Sequence, residues 1–168
     1  LWTAEDPNLY KIQVILQDEN RQPIDDYLVT TGIRTISQEG GTFRLNGEPS
    51  MLNGAQIFGF RSPIDKLAKW ARCAPKEWLV KEIAQIKNMN GNVMRIHNHA
   101  WAHDPPARNI NDPRMAEIGD QLGMMFIWAT PSWTRSEAWG VDFKGLPKYI
   151  KQVRNHPSIV MWEASNHP

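Results

Sequence analysis

Apolar and polar positions alternate with a period of two over residues 9 to 17, LYKIQVILQ, where Leu9, Lys11 and Gln13 oppose Tyr10, Ile12 and Val14. That period predicts a strand with one buried face. DENRQP follows as a polar turn, and IDDYLVTTG and IRTIS read as further short strands. Residues 1 to about 37 therefore look like the last strands of an antiparallel β domain, and QEGG (38 to 41) reads as a linker. The pattern then changes. FRLNGEPSML carries Asn46-Gly47, a strong hairpin signal, and MLNGAQIFG reads as a parallel strand. Residues 58 to 75 are a long irregular stretch.

From there the period switches between 3.6 and two. PKEWLVKEIAQIKNMNGN places Trp78, Leu79, Ile83 and Ile86 at helical spacing, with Gly91 as the expected C-terminal cap. NVMRIHNH is a strand. NDPRMAEIGDQLG is a helix, capped by Asn111 or Asp112, with Pro113 in its first turn and Gly123 at its end. MMFIWAT is a strand, LPKYIKQVRN a helix, and SIVMW a buried strand over Ile159 to Trp162. Strand–helix alternation argues for a parallel sheet with crossover helices. Four such strands make half of a (β/α)8 barrel, which typically needs about 250 residues.

Composition narrows the function classes. The 168 residues are 41% hydrophobic and 22% charged, with a formal net charge of +1. A near-neutral chain gives no electrostatic reason to bind nucleic acid or a membrane surface. No apolar run reaches the length of a membrane span. The chain starts without Met or a signal peptide, as though inside a longer protein. The single Cys73 excludes an internal disulfide and leaves the redox compartment undecided. The eight tryptophans suit either core packing or stacking on a sugar ring.

In a barrel of this kind the active site lies at the C-terminal ends of the strands. The polar residues there are Asn53 and Gln56, then His97 to His99, then Thr130 and Trp133, then Glu163 to His167. Trp101, Trp133 and Trp139 fall in loops on the same side and serve either a saccharide or the barrel rim. His97 and His99 point the same way from a strand end, with His103 near, a pattern also found in zinc hydrolases. No further ligand has the expected placement, so no metal and no cofactor are expected. Lys66, Lys69 and Arg72 could meet an anionic sugar, but a solvated helix face accounts for them more simply.

The motifs, in order, resemble glycoside hydrolase family 2, the β-galactosidase, β-glucuronidase and β-mannosidase group. LWTAEDPNLYKIQVIL is similar to that family's LWSPE-P-LY strand, and TGIRTI to its GFR-I strand. FRLNGEPSMLNGAQ resembles F-LNGKP--LRGVN, and IKNMNGNVMRIHNH resembles MK--N-NAVRTSHYP. IGDQLGMMFI resembles LCDEYGL-VI, and RNHPSIVMWEASN resembles RNHPSIV-WSLGNE. The resemblance implies an α/β fold: residues 1–38 as the C-terminal strands of an immunoglobulin-like β-sandwich, and residues 39–168 as the N-terminal half of a TIM-barrel catalytic domain. It implies a retaining, exo-acting glycosidase, most simply β-galactosidase-like, with two carboxylates about 5–5.5 Å apart as nucleophile and acid/base. The nucleophile lies on the family's seventh strand, so this chain alone is expected to be inactive.

Residue by residue, the resemblance implies that Asn166 holds the sugar 2-hydroxyl and that Arg95 supports the nucleophile electrostatically. It puts His167 where the family has its acid/base Glu. An imidazole, with an unperturbed pKa of about 6.5, suits proton transfer near neutrality. Glu163 stands where the family has Ser. It is a second candidate acid, although its depth in the strand favours an ion pair with Arg95. The family's second-strand His aligns with Asn98, flanked by His97 and His99, and its third-strand acidic residue aligns with Ala129 or Thr130. Expected substrate contacts are Asn166, His97, Asn98, His99 and Trp133. The missing Glu also fits a carbohydrate-binding pseudo-enzyme, and a metal-dependent hydrolase using His97 and His99 ranks third. The expected partner is a carbohydrate, with no nucleic acid or membrane. A homo-oligomer is open, because half a barrel exposes sheet edges. A periplasmic or secreted setting is favoured over the cytoplasm.

Overall fold

The computed structural model describes residues 1–58, 74–97, 111–129 and 146–163. Its strands form three sheets. β1 (Tyr10–Gln17) and β2 (Pro23–Thr31) pair antiparallel. β3 (Ile36–Glu39), β4 (Thr42–Leu45) and β5 (Glu48–Pro49) form a meander. β6 (Gly54–Phe58), β7 (Val93–His97), β8 (Met125–Ala129) and β9 (Ile159–Glu163) form a parallel sheet in that order. Helices α1 (Lys76–Asn88), α2 (Pro113–Leu122) and α3 (Leu146–Val153) fall between consecutive parallel strands. Sequential parallel neighbours joined by helices are what the alternating periods predict.

Four expectations need correction. The stretch read as a linker is the tight turn of a hairpin: Gly40 (φ 55°) and Gly41 (φ 80°) join β3 to β4, with Glu39 paired to Thr42. Two consecutive positive φ values match the right-handed twist of a two-residue hairpin. Asn46 (φ 55°) and Gly47 (φ 85°) repeat the device between β4 and β5, as their sequence predicts. Secondly, β1 has no buried face; Tyr10, Ile12, Val14 and Leu16 are all about half exposed or more. Thirdly, Asn90 (φ 58°), not Gly91, takes the left-handed position after α1. Gly91 instead donates its N–H to the Ile86 carbonyl at 2.9 Å, and a Cβ there would meet Ile86 Cγ2 at 2.4 Å. Fourthly, burial in β9 stops before Trp162, which is exposed.

Two apolar clusters cover opposite faces of β7, β8 and the start of β9, while Gly54, Ala55 and Gln56 of β6 are exposed. On one face Met94, Ile96, Phe126, Trp128 and Ile159 pack against Leu79, Ile83 and Ile86 of α1 and Met115 and Ile118 of α2. Each helix side chain so buried contributes roughly 1.5–3 kcal/mol. On the other face Val93, Met125 and Val160, at the strand beginnings, pack against Trp2, Ala4 and Leu45, with Ile36 and Phe43 alongside. The N-terminal segment and the meander thus plug the end of the sheet opposite the predicted site. Trp2 and Trp128 are packing residues.

α2 settles its own cap. Asp112 accepts the Arg114 N–H at 3.0 Å, Pro113 opens the first turn, and Gly123 ends the helix. In α1, burial pushes the Glu82 carboxyl up to about 7, against the Trp78 indole N–H that donates to it at 3.1 Å. The unfolded chain ionises near the ordinary value of 4.5, so the folded state loses stability as pH rises from there to about 7. Glu82→Gln is expected to leave the melting temperature almost unchanged near pH 4.5 and to raise it near pH 8. Thermal unfolding at the two pH values checks this; an equal shift at both would contradict it.

Candidate active site

The C-terminal ends of the parallel strands carry one charged cluster among the described residues. Arg95 on β7 donates Nε–H to Glu163 Oε2 and Nη2–H to Glu163 Oε1, each at 2.5 Å. The pair is bidentate, the strong geometry for guanidinium and carboxylate. It is largely shielded, with side-chain exposures of 26% for Arg95 and 13% for Glu163. The two residues sit two strands apart. Arg95 is level with Ile127 on β8, and Glu163 is level with Ala129. The small Ala129 side chain between them leaves the guanidinium room to reach across β8. Gln56 on β6 is level with Arg95 on its other side.

Asn111, read only as a possible cap, does something else. It is buried, and its Nδ2 donates to the Ala129 carbonyl at 2.8 Å and the Ile96 carbonyl at 3.3 Å. It therefore ties the C-terminal ends of β7 and β8 together. A sequence signal existed: in Asn-Asp-Pro only one residue can be the cap, which frees the other for a different task.

At the other end of the sheet, the RNHPS stretch is structural. Asp120 accepts the Ser158 backbone N–H at 3.0 Å and lies 2.6 Å from His156 Nδ1. Trp2 Nε1–H donates to the Asp120 carbonyl at 2.9 Å. Arg34 donates to the carbonyls of Pro157, at 2.8 Å, and Ile159. Burial pulls the Arg34 guanidinium below its ordinary value, and the Asp120 charge opposes that.

Of the residues singled out from sequence, the structure brings Arg95 and Glu163 together. His167, Asn166, Asn98, His99 and Trp133 lie outside the described residues, as do His103, Trp101, Trp139, Thr130 and the Lys66, Lys69, Arg72 group. His97 is the last residue of β7, level with Phe58, and its side chain also lies outside the description. Among the described residues no group of three or more His, Cys, Asp or Glu is placed to hold a metal ion, and no helix is long and apolar enough to cross a membrane.

Known proteins are similar to this chain. The family model described as glycosyl hydrolases family 2 matches residues 1–34. A β-galactosidase of Vibrio vulnificus is 27% identical over 98% of the chain, and a putative β-glucuronidase of Formosa agariphila is 30% identical over 99%. The crystal structure of Bacteroides uniformis β-glucuronidase 2, covalently bound to cyclophellitol-6-carboxylate aziridine, superimposes with a TM-score of 0.73 at 26% identity, over 98% of this chain and 18% of that one. The class these proteins share is the glycoside hydrolase. Within it the matches support a family 2 fragment. It spans 16% of the β-galactosidase and 19% of the putative glucuronidase.

Proposed function

We propose that the chain is part of a retaining, exo-acting β-glycosidase, most simply β-galactosidase-like, and carries the acid side of its active centre. The observation that supports this best is the charged Arg95–Glu163 pair, carried by β7 and β9 on either side of β8, toward the C-terminal side of the parallel sheet. That is where barrel enzymes keep their chemistry. In this reading β6 to β9 are the first four strands of a (β/α)8 barrel. β1 and β2 are the end of an immunoglobulin-like sandwich, and the two units divide near residue 38, in β3.

Arg95 supplies positive charge beside the reacting centre. Asn166 holds the 2-hydroxyl of the sugar, and His167 gives a proton to the leaving oxygen. The nucleophile comes from a later strand of the barrel, attacks the anomeric carbon and forms a glycosyl-enzyme that water releases. These four strands alone are therefore expected not to turn over. A sugar-binding protein without hydrolysis is the second reading, because His167 stands at the acid position.

The test is hydrolysis of nitrophenyl and alkyl β-glycosides by the full-length protein and its His167→Ala variant. Turnover is expected on one sugar of the panel. The variant should lose about 10²–10⁴-fold on alkyl glycosides, whose leaving groups need a proton, and little on nitrophenyl glycosides. Silence on every substrate, with sugar binding intact, would favour the second reading.

A further inference from the structure

A strand of strict alternation would put Ile159 and Glu163, four residues apart, on the same face. The structure puts them on opposite faces. Ile159 packs with Phe126, Trp128 and Met94 on the helix side. Val160 and Met161 both join the inner cluster with Val93, Met125 and Ile127. The pairing shows the reason: Phe126 is level with Ile159, but Ile127 is level with Met161. Val160 is an extra residue, a bulge that reverses the facing of everything after it. Trp162 then turns outward, and Glu163 turns inward beside Arg95.

We propose that Glu163 is a positioning residue: turned inward by the Val160 bulge, it holds the Arg95 guanidinium at the floor of the site and is not the proton donor. The proposal rests on the glycosidase reading above and assigns a role within it. The geometry argues for it directly. Both Glu163 oxygens accept from Arg95, which engages the carboxylate as a charged acceptor rather than as a proton donor. The guanidinium crosses a full strand to reach them, and a long flexible side chain held at both ends keeps one orientation. Misplacing a charge beside a reacting centre by about 1 Å can cost on the order of 10²-fold in rate.

The experiment uses the full-length protein with Glu163→Gln, Glu163→Asp, Arg95→Gln and the Glu163→Gln/Arg95→Gln double variant. A positioning role predicts that Glu163→Gln lowers kcat by a similar factor, about 10²-fold, on nitrophenyl and alkyl glycosides. Glu163→Asp, which keeps the charge, recovers part of it. The double variant should lose little more than either single variant, in rate and in melting temperature, because the pair acts as one unit. A proton donor would instead show a loss confined to alkyl glycosides, and that pattern overturns the proposal. If the wild-type protein hydrolyses nothing, the glycosidase reading fails by itself. The melting-temperature cycle then still decides the pair: non-additive shifts support it and additive shifts overturn it.

Discussion

Trp2→Ala is expected to destabilise the folded protein by about 3–5 kcal/mol, the range for removing a large buried aromatic side chain. Trp2 is 0% exposed although it is the second residue of the chain. Three attachments hold it besides packing. Its backbone N–H donates to the Ile33 carbonyl at 2.8 Å, its carbonyl accepts from Asn46 Nδ2 at 3.0 Å, and its indole N–H donates to the Asp120 carbonyl at 2.9 Å. Its ring fills the space among Leu45, Val93, Met125 and Val160. The surroundings cannot collapse into that space, because the parallel strands on one side and the meander on the other are each held by their own hydrogen bonds. Gly32 is pressed against the same side chain; a Cβ there would lie 2.9 Å from Trp2 Cβ. Trp2→Phe should recover much of the packing and lose only the indole bond, about 1 kcal/mol. Urea unfolding followed by far-ultraviolet circular dichroism measures both variants. A loss under about 1 kcal/mol for the alanine variant would mean that the N-terminal segment is not part of the core.

Asp120→Ala is expected to cost about 3 kcal/mol, for a different reason. Few apolar contacts are lost. Instead a buried acceptor disappears from beneath the Ser158 N–H, and Ser158 is 0% exposed. The His156 ring loses its partner, and Arg34 loses the negative charge that offsets its burial. Asp120→Asn keeps an oxygen for Ser158 but removes the charge, and should cost less than alanine. In a double-mutant cycle, Asp120→Ala and His156→Ala should be non-additive, since one contact is removed twice. Additive losses would show that the His156 contact contributes nothing and that the Ser158 bond carries the effect.

These two residues mark where sequence reading reached its limit. The resemblance matches LWTAEDPNLYKIQVIL, IGDQLGMMFI and RNHPSIVMWEASN as separate motifs and does not indicate that Trp2, Asp120, His156 and Ser158 come together. Trp2 and Asp120 are 118 positions apart, and no local period relates them. Asn111 was legible as a cap candidate because Asn and Asp favour that position. That its amide instead joins the ends of β7 and β8 depends on two carbonyls brought together by the sheet. The two glycine-containing turns behaved differently from each other. Asn46-Gly47 reads as a hairpin from its dipeptide, whereas QEGG around Gly40-Gly41 reads as a linker, although the same positive φ values build both turns. The Arg95–Glu163 pair follows from sequence because a carboxylate deep in a strand needs a partner.

The sequence by itself determined the elements and their order. Helical spacing in α1 and α2, period two in the strands, Asp112-Pro113 at a helix start and Gly123 at its end are all local, and local periods record which side of an element meets the core. Only the tertiary structure decided which face each strand end presents. One extra residue at Val160 inverts the facing of Glu163, and an unpaired residue in a strand leaves no mark in composition or spacing. The bulge exists because β9 has to match both the register of β8 and the two cores on either side of the sheet, a condition set by residues far away in the chain.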